Sequence, residues 1–156
     1  MKKLKLKHLA PYLPYELKCT NTKESYLQTG DERMGVLYQL SVEDGDDCVI
    51  MGKNGYFLVH YSDILAILRP LSDLIKEIEH NGEKFVPIDV LSEITTLEYH
   101  NDQLLAAVWN GEMQETEIKH LCYEQVALLF EWHFDVFGLI EKRLAIDVNE
   151  LKNDKQ

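Results

Sequence analysis

The chain has little that could staple it together. Three cysteines, Cys19, Cys48 and Cys122, stand far apart in 156 residues. An odd, scattered set does not complete a disulfide framework, and it points to reduced thiols in a cytosol. No C-x-x-C or H-E-x-x-H occurs, and His100-Asn101-Asp102 and His120-Leu121-Cys122 are too short for zinc signatures. A G-x-S-x-G nucleophile elbow is missing as well. Gly52-Lys53-Asn54-Gly55 lacks the spacing of a phosphate-binding loop and reads as a turn. No apolar run approaches the length of a membrane span, so no membrane association is expected. The opening MKKLKLKHLAPYLPYELKC starts positive like a signal peptide, but Lys5, Lys7 and His8 interrupt any apolar stretch.

Positive charge is the minority sign. Sixteen Lys and Arg face 27 Asp and Glu, for a net charge of −11. Lys2, Lys3, Lys5 and Lys7 sit at the very start, so the body is more acidic still. Such a body repels phosphate backbones, which argues against nucleic acid as the partner. Residues 1–8 read as a basic, frayed N-terminal tail.

What is present suffices for a core. With 46% hydrophobic and 28% charged residues, residues 1–156 read as a single globular domain that needs neither metal nor disulfide to fold. Strand-like runs fill the first two-fifths: YELKCT (15–20), MGVLYQLS (34–41), DCVIM (47–51), GYFLVHY (55–61) and ILAILR (64–69). Asp44-Gly45 in VEDGD marks a hairpin turn, and the carboxylates around it do not fit a calcium loop. The period then changes. Leu71, Leu74, Ile75 and Ile78 recur at helical spacing within RPLSDLIKEIEHNGEKF (69–85). Pro70 and Ser72 supply start signals and Asn81-Gly82 a stop, which predicts a surface helix. Arg69, at the junction before it, is placed to pair with a first-turn carboxylate such as Asp73. PIDVLSEI (87–94) predicts a second short helix. Residues 97–119 read as a hairpin turning on Asn110-Gly111, with a helix from Asn101 as the alternative.

LLFEWHFDVFGLIEKRLAIDVN (128–149) raises the sharpest functional question, because Trp132, His133, Phe134 and Asp135 stand side by side in it. On a helical wheel of about 100° per residue, Val126, Leu129, Phe130, His133, Phe137, Ile140 and Leu144 form one stripe. Glu124, Glu131, Asp135 and Lys142 form the opposite one. Asp135 then lies about 200° round from His133, too far to share a ligand or a proton with it. The stretch 123–143 therefore predicts a long, central, buried helix. His133 reads as a buried neutral imidazole, with a ligand or general base as the alternative. Glu131 and Asp135, at i and i+4 on the polar side, read as a solvated face. Their sharper alternative is acid–base or divalent-metal chemistry. No cofactor and no metal site is expected, and His133, Asp135 and Glu131 are the catalytic candidates. Tyr12, Tyr15, Tyr56 and Tyr61 fall in the β-rich part, where aromatics serve a protein patch or base stacking.

The architecture expected is α+β: an N-terminal β-rich sheet or small barrel-like unit, two short helices, a hairpin and the long C-terminal helix. APYLPYELKC (10–19), ILRPLSDLIKEIEHNGEKFVPIDVL (67–91) and the stretch 128–149 resemble a family of small uncharacterised proteins from phages and prophages of Bacteroides-type bacteria. The resemblance covers somewhat over a third of the chain and carries no catalytic residue with it. It implies a phage gene product acting in a bacterial cytoplasm as an accessory or host-modulating protein. The function expected is a non-enzymatic interaction protein whose partner is a host or phage protein. The alternatives are a metal-assisted hydrolase using Glu131, Asp135 or His133, and a single-stranded nucleic-acid binder using the β-rich part and the lysine tail.

Overall fold

Alternation of period two in the first part becomes a sheet, and the helical period of the second part is only partly realised. A computed structural model describes residues 4–22, 34–41, 47–52, 55–94, 118–119 and 121–153. It is of the α+β class and divides into two units, residues 1–68 with 139–156, and residues 69–138.

In the first unit a short helix α1 (Leu6–Leu9) runs into a 3-10 stretch, Ala10–Tyr15. Leu4, Leu9 and Tyr12 are buried there, so the chain is packed from Leu4 on. Five strands follow: β1 (Lys18–Asn21), β2 (Met34–Leu40), β3 (Asp47–Gly52), β4 (Gly55–His60) and β5 (Ile64–Leu68). They pair antiparallel in the spatial order β4-β3-β2-β1-β5. Residues of one parity, among them Cys19, Leu37, Ile50, Val59, Ile64 and Ala66, are at most 3% exposed. This is the buried face that a pleated strand must have. The β3–β4 pair closes at Gly52 opposite Gly55. The Asp44-Gly45 turn lies outside the described residues.

The sheet gains a sixth strand from the far end of the sequence. β8 (Ala145–Asp147) lies parallel to β5, with Ala66 opposite Ala145. It is prepared by a turn in which Leu144 N–H donates to the Leu139 carbonyl (2.8 Å) and Arg143 N–H to that of Ile140 (2.9 Å). A short helix, Val148–Asn153, closes the chain.

The second unit departs from expectation at two places. The surface helix predicted over 69–85 is a 3-10 helix, Leu71–Ile75, followed by a β-hairpin, β6 (Ile78–His80) and β7 (Glu83–Phe85). Asn81 and Gly82 both have positive φ, 52° and 84°. That is the signature of a two-residue type I′ hairpin turn, for which Asn-Gly is the preferred pair. Ile78, counted in the helical stripe, is 5% exposed, but on the hairpin. α2 (Pro87–Ile94) forms as predicted and buries Ile88 and Leu91. Of residues 97–119 only 118–119 are described, so the hairpin expected there lies outside the described residues.

The second departure is the long C-terminal helix, which ends early. α3 spans Tyr123–Glu131, nine residues. His133 takes φ 60°, Phe134 N–H reaches back to the Leu129 carbonyl (2.8 Å) and His133 N–H to that of Phe130 (3.1 Å). These two bonds are the Schellman arrangement that satisfies terminal carbonyls. The Leu129 and Phe134 side chains, both 0% exposed, are the apolar pair that accompanies it. Leu74, Ile78, Ile88, Leu91, Leu129, Trp132 and Phe134 make the core of this unit.

Candidate functional site

Polar side chains of the second unit gather where α3 ends. Arg69 N–H donates to the His133 carbonyl and Asp135 N–H to the Arg69 carbonyl, both at 2.8 Å. This single parallel bridge, Arg69 opposite Phe134, pins the corner after α3 to the chain just ahead of Pro70 and the 3-10 helix. The Arg69 side chain turns to the hairpin, where Nη2 donates to the Glu79 carbonyl at 2.9 Å. Burial holds the guanidinium below its ordinary pKa, and Asp73 opposes that shift. Its Nε is buried with no hydrogen-bond partner among the described residues. The pairing of Arg69 with Asp73 expected from sequence therefore survives as a field. The buried Asp73 carboxylate forms its ion pair with Lys76, at 2.6 Å.

His80, next along the hairpin, presents its ring edge to face with that of His133, centroids 5.9 Å apart and planes at 85°. Burial depresses the His80 pKa below 6.5. Glu131 opposes the shift and Arg69 adds to it. The ring is thus neutral at pH 7 and available as a hydrogen-bonding or proton-accepting group.

The three sequence candidates separate. Glu131, the last residue of α3, and His133 both act on His80, a residue that no sequence motif had singled out. Asp135 does not lie on an exposed stripe: it is 4% exposed, whereas His133 is only half-buried. The wheel placed them the other way round because it continued a helix that had already ended. Among the described residues no group of three or more His, Cys, Asp or Glu side chains could hold a metal ion. Gln125 also escaped notice. It is 2% exposed, its Oε1 accepts from Cys122 N–H (3.1 Å), and its Nε2 donates to the Leu91 carbonyl (2.9 Å), tying α3 to α2. The three-residue spacing from Cys122 to Gln125 is a capping-box spacing and was the available signal.

In the first unit, the side of β2 and β4 opposite the buried one is apolar and open. Met34, Tyr38, Tyr56 and Leu58 are 47%, 55%, 61% and 58% exposed. A register irregularity between Leu37 and Gln39 leaves Tyr38 as the extra residue of a β-bulge. Its ring meets that of Tyr56 at 4.9 Å. Of the tyrosines singled out from sequence, Tyr12 and Tyr61 are buried, and Tyr61 uses its hydroxyl to donate to the Ser41 carbonyl at 3.0 Å.

No protein-family model, curated protein or solved structure matches the chain. No helix among the described residues is long and apolar enough to cross a membrane.

Proposed function

We propose that the protein is a non-enzymatic interaction module that docks another protein on the open face of β2 and β4. The observation that carries this reading is the cluster of Met34, Tyr38, Tyr56 and Leu58, large apolar side chains about half exposed on neighbouring parts of one sheet face. Aromatic residues and methionine are the types enriched at the centre of protein interfaces, and tyrosine supplies much contact area at little entropic cost. The net charge of −11 adds long-range steering toward a partner with a basic rim. The resemblance to phage and prophage proteins suggests where to look for that partner, among host or phage proteins of a bacterial cytoplasm.

A second reading, single-stranded nucleic acid, draws on the Tyr38–Tyr56 ring pair and on Lys18, opposite Val36 on the same face. The acidic body opposes it. Affinity capture from a Bacteroides-type host lysate, compared between the parent chain and a Tyr56→Asp variant, tests the first reading. Circular dichroism confirms that the variant folds. Proteins retained by the parent and lost by the variant support the docking face. Identical retention by the two refutes it. Parent binding to a labelled oligothymidine, steeply weakened by salt and lost in the variant, transfers the face to nucleic acid.

A further inference from the structure

The β6–β7 hairpin is fastened to the end of α3 by contacts of different kinds, and one of them is titratable. Phe85 packs on Trp132, ring centroids 4.9 Å apart, and the Arg69 guanidinium holds the Glu79 carbonyl. Between these two fixed points the His80 ring meets the His133 ring at the left-handed corner. We propose that His80 is an acid-sensitive latch: its neutral ring lets the hairpin seat against the end of α3, and its protonation loosens the hairpin there.

The charges around the ring decide the direction. Arg69 is permanently cationic and cannot swing away from a charged imidazole without giving up the Glu79 carbonyl. Glu131 on α3 is the compensating anion, but burial and Arg69 together outweigh it. Glu79 and Glu83, beside and opposite His80 on the hairpin, are exposed, and their fields are screened by solvent. Asp73 is engaged by Lys76 and by Arg69. The Leu129 and Phe130 carbonyls at the helix end already accept the corner's own N–H groups. The group facing His80 at the corner itself is the imidazole of His133. The pKa of His80 is lowered on folding, so the latch contributes fully above about pH 6.5, its unfolded value, and loses strength as pH falls from there toward the folded value.

The test is hydrogen exchange of amides 78–85 in the full chain, corrected for intrinsic rates, at about pH 7.5 and about pH 5, across the histidine range. An imidazole NMR titration of His80 accompanies it. In the parent chain the opening equilibrium of the hairpin should rise on acidification, by about tenfold for each unit separating the folded from the unfolded pKa. Amides of α2 should keep their protection, and His80→Gln should remove the pH dependence at the hairpin. Equal hairpin protection at both pH values overturns the latch, as does an equal acid loss in parent and variant. A His80 ring that titrates at or above 6.5 overturns it even where the variant does not fold.

Discussion

Replacing His133 by glycine and, separately, by alanine puts the early end of α3 to a test of sign. Both substitutions delete the imidazole and its contact with His80, so their difference isolates the backbone at one position. In a continuous helix alanine is the better residue by about 1 kcal/mol. At φ 60° the order inverts. Alanine there carries the left-handed penalty of roughly 1–2 kcal/mol, which glycine escapes. Glycine gives back roughly 0.5–1 kcal/mol through the greater freedom of its unfolded chain. The glycine variant should therefore be the more stable by about 0.5–1 kcal/mol, and 1 kcal/mol moves the midpoint by roughly 2–4 °C in a chain of this size. The capping bonds are made by main-chain N–H groups at 133 and 134, so both variants retain them. Urea unfolding followed by tryptophan fluorescence, which Trp132 in this core reports, gives the comparison at constant m. An alanine variant equal to or more stable than the glycine variant refutes the corner and restores a helix through 133.

Three further outcomes check the packing around that corner. Phe134→Ala, at 0% exposure in the core, should cost about 3–5 kcal/mol in chemical denaturation, and Phe137→Ala, half-buried, markedly less. Equal costs would contradict the ending of α3. Gln125→Ala leaves Cys122 N–H and the buried Leu91 carbonyl without their partner and should lose about 1–3 kcal/mol, measured the same way. Gly82→Ala meets no atom within 4 Å, so its effect is the cost of φ 84° alone, about 1–2 kcal/mol. It should be seen as faster amide exchange confined to the hairpin; unchanged exchange would argue against the type I′ turn.

The strands of the first unit were legible because each is a short apolar run bounded by turn residues, and alternation alone decides which side is buried. β8 was not: its parallel pairing with β5 joins Ala145 to Ala66 across the sequence, and three residues carry no period of their own. The hairpin was misread through a real ambiguity. Leu71, Leu74, Ile75 and Ile78 fit a helical stripe, and Asn-Gly serves both as a helix stop and as a type I′ turn. What separates the two uses is whether Asn as well as Gly takes positive φ. No local pattern announces that. At His133 the signal was weaker still, since the left-handed position that ends a helix is usually held by glycine. The sequence offers instead Leu129 and Phe134, five residues apart, as the apolar pair of the Schellman turn. That spacing also suits a core helix, so periodicity extended α3 across the corner and inverted the burial of His133 and Asp135. The error fell on the same residues that set the site. The bonded pair Arg69 and His133 brings the end of α3 beside the hairpin, and only after that does His80 acquire a neighbouring imidazole and a carboxylate. A constellation made by one non-glycine residue in a glycine conformation cannot be read from spacing. It can be read from strain: a histidine held at positive φ is kept there by the surrounding contacts.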